Sequence, residues 1–392
     1  MTIIGIGEDG LAGLSDASRK ALAHAEAVFG GERHLGLADI GARGEAWPVP
    51  FDLAPVLARR GHPTVVLVSG NPFWHGAGTG LAAHLKREEW IAHPAPSTFS
   101  LAAARLGWAL EQTICLGLHA APFERLVPML ARGTRIICLV RDGKAGADLA
   151  AWLTARGWGA SRLWALSSLG GPREQIVESQ ARDYIAEPGS SPLAMALQAE
   201  GMAGMPRCSG LADDLFAHDG QITKRPIRAL ALSALAPRPN ELLWDIGAGS
   251  GSISVEWALA GGTAIAVEER ADRAANIRVN TTAFGLAHRI KVLVSHAPDS
   301  LGGLEQPDAV FLGGGLDATM FEAVWSRIPH RGRIVAHSVT LETEALLAEL
   351  HGRHGGDLVR IEISHAAPLG RRRAWEAARP IMQWRAMKGE GA

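Results

Sequence analysis

Short apolar runs alternate with segments of helical spacing through the first half of the chain. The apolar runs predict strands at Thr2–Ile6, Thr64–Val68, Thr113–Leu118, Arg135–Val140 and Arg162–Leu166. The segments between them predict helices. One runs from Ser15 or Asp16 toward Ala25, two cover Thr79–Lys86 and Ala145–Arg156, and two more end at Trp108 and at Arg132. Strands that alternate with helices are typical of a mostly parallel α/β sheet.

The same alternation returns in the second half. Its predicted strands are Leu242–Asp245, Thr263–Val267, Arg289–Val294, Asp308–Leu312 and Arg333–His337, with strand-like runs near Asp357–Ser364 and Ile381–Met387. Its predicted helices are Ser252–Leu259, Asp272–Phe284, Ala318–Trp325 and Leu341–Leu350. Between the halves, residues 188–220 are rich in Pro, Gly, Ser and Met and lack periodicity. We therefore expect one domain over residues 1–187, a linker over 188–220 and a second domain over 221–392.

The composition fits two sizeable domains and excludes several partners. Of 392 residues, 47% are hydrophobic and 20% are charged, so large cores can form. The net charge of −1 gives no general attraction to nucleic acid or to an anionic membrane. No apolar run reaches membrane-spanning length, and residues 1–10 enter a strand without a basic leader. The three cysteines form no C-x-x-C pair, so we expect no disulfide, no bound metal and a cytoplasmic protein.

A glycine-rich turn joins the first two predicted strands of the second half. Asp245 ends the strand before this turn, and Glu268 ends the strand after it. The turn itself consists of Gly247, Ala248, Gly249, Ser250 and Gly251. Glycines let the backbone come close to a ligand, and the helix that follows presents unpaired N–H groups. An acid about twenty residues beyond such a turn can accept hydrogen bonds from a ribose. The unit therefore predicts a nucleoside-cofactor site.

The spacing of this turn narrows the choice of nucleoside. It reads G-x-G-x-G with an acid two residues before the first glycine, whereas a dinucleotide site reads G-x-G-x-x-G. A buried Asp245 at the mouth of the turn suits a cofactor that carries a positive charge and no pyrophosphate. The stretch resembles the first motif of the class I, S-adenosylmethionine-dependent methyltransferases. The alternative is a turn that uses glycine for its geometry alone.

The first half carries four ordered motifs. They are GIGEDG (5–10), SGNPFWHGAG (69–78), HPAPSTFSLAAARLGW (93–108) and LGGPRE (169–174). The first three resemble the tetrapyrrole methylases, or class III methyltransferases, whose usual forms are GxGPG, SGDPxxF/YxxG and a Pro-rich loop ending in Ser-Ser. The fourth fits the precorrin C5-methylase branch. This resemblance covers roughly residues 1–187.

The resemblance implies that the backbone of these loops binds S-adenosylmethionine. The matching positions are Gly5, Gly7, Gly70, Asn71, Pro72, Ser97 and Thr98. The chain departs from the family at Glu8 and Asp9, which stand where the family has Pro-Gly, and at Asn71, which replaces the usual Asp. Asn71 keeps the turn-forming side-chain oxygen and loses only the charge.

Four motifs of the second half extend the class I pattern. They are DGQITKRPIRA (219–229), WDIGAGSGSISVEWA (244–258), AVEE (266–269) and FLGGG (311–315). Together they resemble the decarboxylating precorrin C15-methyltransferases, which commonly have Asp in place of His296 and Asn in place of His337. The resemblance implies a cofactor site formed by Thr223, Asp245, Gly247, Ala248, Gly249, Gly251, Glu268 and Ala297. It also implies that Gly313 and Gly314 lie against the substrate.

Joined in this order, the halves resemble the fused, decarboxylating precorrin C5,15-methyltransferases of cobalamin biosynthesis. The implied fold is a class III tetrapyrrole methylase fold of two α/β subdomains, followed by a class I Rossmann-like methyltransferase fold. The implied N-terminal domain methylates C5, and the implied C-terminal domain methylates C15 and removes carbon dioxide from the ring C acetate, giving precorrin-8. The resemblance implies one S-adenosylmethionine site in each domain. The implied partners are a small-molecule tetrapyrrole and further copies of the chain in a dimer or tetramer, without nucleic acid, membrane or metal ion.

Methyl transfer from a sulfonium requires mainly alignment of the reacting atoms and exclusion of water. Decarboxylation also requires the ring to accept an electron pair, which protonation of the macrocycle assists. Glu256 lies one helical turn after the glycine loop, and His296 and His337 end successive strands at the carboxyl edge, where ligands bind. Each of the three is a candidate for transferring this proton. The alternatives are a capping or ion-pair role for Glu256 and solvated histidines.

The substrate carries many carboxylates, so cationic side chains should line its cleft. Lys224, Arg225 and Arg228 adjoin the first motif of the second half, and Arg372 lies in a run of three arginines at 371–373. We interpret these four as substrate-binding. The alternative is that the runs are solvated surface charge.

Three other classes of function fit parts of the sequence. An NAD(P)-dependent Rossmann oxidoreductase is disfavoured by the G-x-G-x-G spacing. A class I methyltransferase acting on RNA or protein would need a basic face or an Asn/Asp-Pro-Pro-Tyr-type motif, and residues 296–299 read HAPD instead. A tetrapyrrole carrier without catalytic activity would not need two cofactor loops.

Overall fold

The computed structural model describes residues 1–186 and 193–389, which belong to two compact units. The first unit comprises Met1–Phe123 and Met129–Gly204, and the second comprises Glu124–Pro128 and Met205–Ala392. Each unit has its own sheets and its own apolar cores. Across the described residues, we find no helix with the length and apolarity needed to cross a membrane.

The first unit contains two five-stranded sheets, which confirms the two α/β subdomains expected for this half. Its described strands are β1 (Thr2–Ile6), β2 (Ala27–Gly30), β3 (Gly44–Ala46), β4 (Thr64–Ser69), β5 (Ile91–His93), β6 (Thr113–Gly117), β7 (Arg135–Val140), β8 (Arg162–Ser167), β9 (Gln175–Gln180) and β10 (Leu193–Gln198). Its described helices are α1 (Asp16–His24), α2 (Glu32–Leu37), α3 (Ala54–Leu57), α4 (Gly78–His84), α5 (Thr98–Leu106) and α6 (Gly143–Leu153). The sheet orders are β3-β2-β4-β1-β5 and β6-β7-β10-β8-β9.

The first of these sheets is parallel throughout. Its central strands β1 and β4 are apolar and buried, as their sequences predict. The hydroxyl of Ser15 accepts a hydrogen bond from the backbone N–H of Ser18 at 3.2 Å, so α1 begins at the predicted cap. Because parallel strands end at the same edge, the loops after β1 and β4 meet there.

The second sheet corrects the predicted linker. The strand β10 lies inside the expected linker over 188–220, yet it pairs antiparallel with both β7 and β8 at the centre of the sheet. Its Leu193 to Leu197 side chains are buried, and this burial explains the position of the strand. The remaining expected linker residues before it, 188–192, lie outside the described residues.

The predicted helix that ends at Arg132 is wrong. The structure has only a single 3₁₀ turn there, at Phe123–Leu126. Pro128 lacks the backbone N–H that an α-helix would need at this position, and its ring obstructs the preceding turn. Propensity over this stretch indicates a helix, but the proline ends it after one turn.

The second unit has the expected class I methyltransferase architecture. Its described strands are β11 (Leu242–Ile246), β12 (Thr263–Glu268), β13 (Ile290–Val294), β14 (Ala309–Leu312), β15 (Arg333–Ser338), β16 (Asp357–Ile361), β17 (Ser364–Leu369), β18 (Arg372–Ala377) and β19 (Ile381–Met387). Its described helices are α7 (Arg225–Leu235), α8 (Ser252–Leu259), α9 (Ala271–Ala283), α10 (Ala297–Ser300), α11 (Ala318–Arg327) and α12 (Leu341–His354). Seven strands form one sheet in the order β13-β12-β11-β14-β15-β19-β16, and β19 runs antiparallel to both neighbours.

The strands β17 and β18 form a separate hairpin that the sequence analysis did not predict. They pair only with each other among the described strands, and nearly all of their side chains are exposed. Trp375 on β18 is 77% exposed. The predicted strand near Asp357–Ser364 ends at Ile361, where the chain leaves the main sheet for this hairpin.

A buried ion pair joins three segments of the second unit. The guanidinium of Arg228 on α7 is fully buried and donates from Nε to Glu256 Oε1 on α8 at 2.6 Å. Glu256 also accepts from the backbone N–H groups of Gly210 at 2.6 Å and Leu211 at 3.0 Å. Arg228 further donates to Asp213 Oδ1 at 3.0 Å. The pair therefore fastens the chain entering the second unit to the helix that follows the glycine loop.

The substitution Glu256→Gln should lower the free energy of unfolding of the second unit by about 3–5 kcal/mol, because the buried Arg228 guanidinium would lose its counter-charge. Urea-dependent hydrogen exchange of peptides from α7 and α8 reports this value. The matched control is Glu362→Gln, which removes the exposed pair between Arg360 and Glu362 at 3.0 Å. The control should change the value by less than about 0.5 kcal/mol. Equal small changes in both variants would contradict the role of the pair.

Candidate functional site

Three loops of the first unit meet at Gly70. Its backbone N–H donates to the carbonyl of Ile6 at 3.1 Å, and its carbonyl accepts from Ala95 N–H at 3.0 Å. A β-carbon on Gly5 would overlap the carbonyl oxygen of Gly70. Gly70 has a φ of 55°, and a β-carbon on it would lie 2.8 Å from the carbonyl of Pro96. The end of β1 and the loops after β4 and β5 therefore touch through their backbones, and a side chain at either glycine would separate them.

Asn71 and Pro72 shape the loop that follows. The side-chain oxygen of Asn71 accepts from Phe73 N–H at 3.0 Å, so the predicted turn-forming role of this oxygen is confirmed. The carbonyl of Pro72 accepts from Gly78 N–H at 3.1 Å and closes the loop at the start of α4. Ser97 caps α5 by accepting from Ser100 N–H at 3.1 Å.

These loops surround a cavity of about 370 Å³ in the first unit. Of the residues expected to bind the cofactor here, Gly7, Gly70, Ser97 and Thr98 line the cavity. Gly5, Asn71 and Pro72 are not among its lining residues, and they act by fixing the loops instead. A volume in this range fits one small-molecule ligand.

The lining of the cavity also includes Glu8, which the sequence analysis noted only as a departure from the family, and Arg33, His34, His75 and His119, which it did not propose as site residues. The rings of His75 and His119 lie 6.4 Å apart, and both pack over Gly117, where a β-carbon would be 3.1 Å from His75. His75 has a φ of 60°, which is uncommon for a residue with a side chain. Only the departure from the family at Glu8 gave a signal in the sequence.

The glycine loop of the second unit lies between β11 and α8. All three of its glycines have positive φ, at 67° for Gly247, 58° for Gly249 and 71° for Gly251. The N–H groups of Gly247 and Ala248 both donate to the carbonyl of Val267, at 3.0 and 3.1 Å. A β-carbon on Gly251 would lie 2.7 Å from Ile277 Cγ2. The loop therefore needs glycine for its backbone conformation and for close packing on α9.

Two carboxylates stand behind this loop. Asp245 is 1% exposed and accepts from Ser254 N–H at 3.1 Å and from its hydroxyl at 2.6 Å. Burial raises the pKa of Asp245 to about 6, against the lowering effect of these two hydrogen bonds. Glu268 accepts from Gly249 N–H at 2.8 Å and from Arg270 N–H at 3.0 Å. Both carboxylates thus lie at the predicted positions and fix the loop and the helix after it.

Asn280 on α9 also holds the loop. The sequence analysis missed this residue, because no pattern in the sequence around it indicates a contact with residues so far away along the chain. Its side-chain N–H₂ donates to the carbonyl of Ser250 at 2.8 Å and to that of Ala217 at 2.9 Å. Its side-chain oxygen accepts from Ala217 N–H at 2.7 Å. The side chain is buried and satisfied on both ends.

The structure revises two of the predicted site residues. Arg228 was expected to face the substrate, but its guanidinium is fully buried against Glu256 and the carbonyl of Thr223. Glu256 was a candidate for proton transfer, but both of its oxygens are occupied in the ion pair and by backbone N–H groups. The ion-pair alternative stated for Glu256 therefore describes this residue, and Arg228 is its buried partner instead of a substrate ligand or a solvated surface charge. Lys224 and Arg225, at the start of α7, are exposed.

The loop after β14 lies beside the glycine loop. The N–H of Gly313 donates to the carbonyl of Ile246 at 3.1 Å, and a β-carbon on Gly247 would lie 3.2 Å from the carbonyl of Gly314. Gly313 and Gly314 are both exposed at this edge. Ala297 is buried at the start of α10, which follows β13. In the sheet, β12 lies between β13 and β11, on the side of β11 opposite to β14.

The prediction that His296 and His337 end successive strands is wrong. His296 follows β13, and His337 belongs to β15. The strands β12, β11 and β14 lie between these two strands in the sheet. At about 4.8 Å per strand spacing, β13 and β15 lie roughly 19 Å apart. His296 is 59% exposed, with Asp299 Oδ2 at 3.5 Å from its Nδ1. The two histidines cannot act together on one small group.

His337 is buried in a structural contact. Its Nε2 lies 2.8 Å from the side-chain oxygen of Gln383, its partner across β19, and its ring packs edge-on against Phe311. Burial lowers the pKa of His337, so the ring is neutral near pH 7. Arg372 lies on the exposed hairpin. In the described part of the chain, no group of three or more His, Cys, Asp or Glu side chains is arranged to hold a metal ion.

The substitution Gly5→Ala should lower the free energy of unfolding of the first unit by about 1–3 kcal/mol or more, since the new methyl group would overlap the Gly70 carbonyl. Thermal unfolding and hydrogen exchange over residues 69–78 measure the effect. Gly36→Ala is the matched control, because a β-carbon there meets nothing within 4 Å. A stable Gly5→Ala variant with unchanged exchange would contradict the close backbone contact.

Two family models match the chain in the order of the two units. Residues 1–184 match the tetrapyrrole (corrin/porphyrin) methylases, and residues 214–388 match the precorrin methyltransferase domain. A precorrin-6Y C(5,15)-methyltransferase [decarboxylating] of Sinorhizobium sp is 45% identical over 99% of this chain and 96% of that protein. An enzyme of the same name from Mycobacterium tuberculosis is 38% identical over 98% of this chain and 99% of that protein.

A solved structure of the C-terminal domain of precorrin-6Y C5,15-methyltransferase from Rhodobacter capsulatus is 53% identical, with a TM-score of 0.46. It covers 47% of this chain and 100% of that chain. The relatives from Sinorhizobium and Mycobacterium match this chain along nearly its whole length, through both units and the segment between them. On that full-length similarity, the chain belongs to the precorrin-6Y C(5,15)-methyltransferase (decarboxylating) family.

Proposed function

We propose that this protein methylates a precorrin at C5 and C15 and decarboxylates its ring C acetate, giving precorrin-8 in cobalamin biosynthesis. The observation that carries the proposal is that two glycine-built loops, on sheets of different topology, occur in one chain of this family. Family membership also argues against the NAD(P) oxidoreductase and against a methyltransferase acting on RNA or protein. Enzymes of this family use S-adenosylmethionine as the methyl donor.

The proposal assigns one cofactor site and one set of reactions to each unit. Residues 1–187 would methylate C5, and residues 221–392 would methylate C15 and release carbon dioxide. The match of residues 1–184 to the tetrapyrrole methylases and of 214–388 to the precorrin methyltransferase domain supports this division.

In the first unit, the donors and acceptors around the 370 Å³ cavity fit a nucleoside cofactor. The backbone at Gly7 and Gly70, together with Ser97 and Thr98, would hold it, and Gly5, Asn71 and Pro72 would keep these loops in place. When bound, the cofactor supplies an activated methyl group on a sulfonium. The protein contributes alignment and a site from which water is excluded.

In the second unit, the glycine loop and Glu268 fit the same cofactor. Glu268 lies at the end of β12, where its carboxylate can accept from ribose hydroxyls, and its contact with Gly249 N–H places the glycine loop beside it. Thr223 and Ala297 remain proposed cofactor contacts at the two sides of this edge. The buried Asp245 would place a negative charge behind the loop, which favours a sulfonium.

The substrate-facing groups of the second unit would be Lys224, Arg225, Gly313 and Gly314. The two cations are exposed at the start of α7, and the glycines are exposed at the end of β14. The acetate carboxyl leaves as carbon dioxide while its electron pair enters the ring. His296 is the remaining proposed proton-transfer group, because it is exposed at the carboxyl edge whereas Glu256 and His337 are buried.

We also propose that the protein forms a homo-oligomer and works in the cytoplasm. A two-stranded hairpin is only marginally stable by itself, and the β17–β18 hairpin exposes Trp375 and Leu369. Burial against other copies would stabilise it, and Arg372 would then lie at an interface or at its rim. The three cysteines are free thiols, as a reducing compartment favours.

The affinity for S-adenosylmethionine should fall as the pH drops from about 7 to about 5, because Asp245, with a pKa of about 6, loses its charge over this range. An ionised carboxylate favours the sulfonium, whereas the protonated form does not. Calorimetric titration at each pH measures the effect. S-adenosylhomocysteine, which lacks the sulfonium charge, should respond less. The variant Asp245→Asn should abolish the difference between the two ligands in their pH response, and a persisting difference would contradict this role.

The substitution Glu268→Ala in the full chain should lower C15 methylation and carbon dioxide release at least about tenfold, because one charge-assisted hydrogen bond to the cofactor is lost. Methylation at C5 should persist when the variant receives the C15-methylated, decarboxylated intermediate. Product mass and released carbon dioxide are the readouts. Glu269→Ala, at the exposed neighbouring residue, is the control. Equal loss at C5 and C15 in Glu268→Ala would refute the division between the units.

A further inference from the structure

Glu8 stands where the usual GxGPG form of the tetrapyrrole methylases has proline. Glu8 follows β1 and its side chain is only 6% exposed. It forms an ion pair with Arg33 on α2, and Arg173 Nη2 lies 3.9 Å from its other oxygen. A β-carbon on Gly171 would lie 2.5 Å from the β-carbon of Glu8, so the loop carrying Arg173 packs directly against it. One buried carboxylate thus brings together two guanidinium groups from distant parts of the sequence.

Two of these groups lie at the cavity of the first unit, and Arg173 is next to it through Glu8. Glu8 and Arg33 line it, and Arg33 also donates from Nη2 to the hydroxyl of Ser69 at 3.0 Å. Burial lowers the pKa of His34, the neighbour of Arg33, to about 4, so this ring adds no charge near neutral pH. Among the charged side chains of the lining, Glu8 is the one acid, against Arg33 and Arg141.

The cluster carries an excess positive charge that could bind an anion. Arg33 and Arg173 carry two positive charges, and Glu8 supplies one negative charge. Arg173 is 75% exposed, and within the described residues its nearest carboxylate oxygen is the one at 3.9 Å, which is beyond hydrogen-bonding distance. Two guanidiniums around one carboxylate can bind a second carboxylate, to which they would donate charge-assisted, bidentate hydrogen bonds.

The proposed substrate of the first unit supplies such a carboxylate. A cavity of about 370 Å³ is in the size range of one small ligand, here the nucleoside cofactor, and a tetrapyrrole is larger. A macrocycle docked at the mouth of the cavity would bring its acid side chains to the rim. We propose that Arg33 and Arg173, held together by Glu8, bind a peripheral carboxylate of the tetrapyrrole and orient the macrocycle for methylation by the first unit. This inference rests on the proposed function of that unit.

Steady-state kinetics of C5 methylation by the full-length protein test the proposal, with the C15-methylated, decarboxylated intermediate as substrate. Arg173→Gln should raise KM for this substrate at least about tenfold and leave kcat within about twofold, because the lost contact positions substrate without touching the reacting atoms. Arg173→Lys should recover part of the affinity. Added salt should raise KM of the unsubstituted protein more steeply than that of Arg173→Gln.

The matched control is Arg162→Gln. Arg162 is 53% exposed, pairs with Glu178 at 2.7 Å and is not one of the two guanidiniums beside Glu8. Its replacement should leave KM unchanged. If Arg173→Gln also leaves KM unchanged, or lowers kcat alone, the proposal is overturned. If the unsubstituted protein does not methylate C5, the proposed function of the first unit fails instead, so the two failures are distinguishable.

Discussion

The carbonyl of Gly70 occupies the space that a β-carbon on Gly5 would need, so the end of β1 and the loop after β4 touch through their backbones. A similar constraint applies in the second unit, where Gly251 packs on Ile277 and Gly247 faces the carbonyl of Gly314. In each unit, glycines at the carboxyl edge of parallel strands allow approaches that a side chain would prevent. The shape of each proposed cofactor site depends on these approaches. If backbone groups bind the cofactor, as we propose, a replacement such as Asn71 is tolerated because it preserves the turn.

Buried polar side chains hold these loops from behind. In the second unit, Asp245 binds Ser254, Asn280 binds Ser250, and Glu256 is paired with Arg228. Of these side chains, Asp245 is the one whose ionised form is destabilised by burial, as its pKa, raised toward neutrality, indicates. A neutral side chain would satisfy Ser254 at a lower free-energy cost, so the acid at this position supports the proposal of a positively charged ligand in front of the loop. Glu256 and Arg228 lack access to solvent and contribute through stability.

The parts of this fold that depend on local pattern could be predicted from the sequence, such as β1, β11, α8 and the glycine loop. Apolar periodicity and glycine spacing are properties of a few adjacent residues. Features that depend on distant partners could not. The strand β10 is recognisable only once β7 and β8 are known to flank it. Likewise, the burial of Glu256 depends on Arg228, 28 residues away, and the separation of His296 from His337 depends on sheet order.

We propose that one chain holds two S-adenosylmethionine sites, one in each unit. Native mass spectrometry of the full-length protein with saturating S-adenosylhomocysteine counts these sites directly, whatever the oligomeric state. We expect two bound molecules per chain, and a titration should show weaker binding at one of the two sites when either Gly5 or Glu268 is replaced by alanine. A single bound molecule in the unsubstituted protein would contradict this proposal, and the two units would then have to share one cofactor.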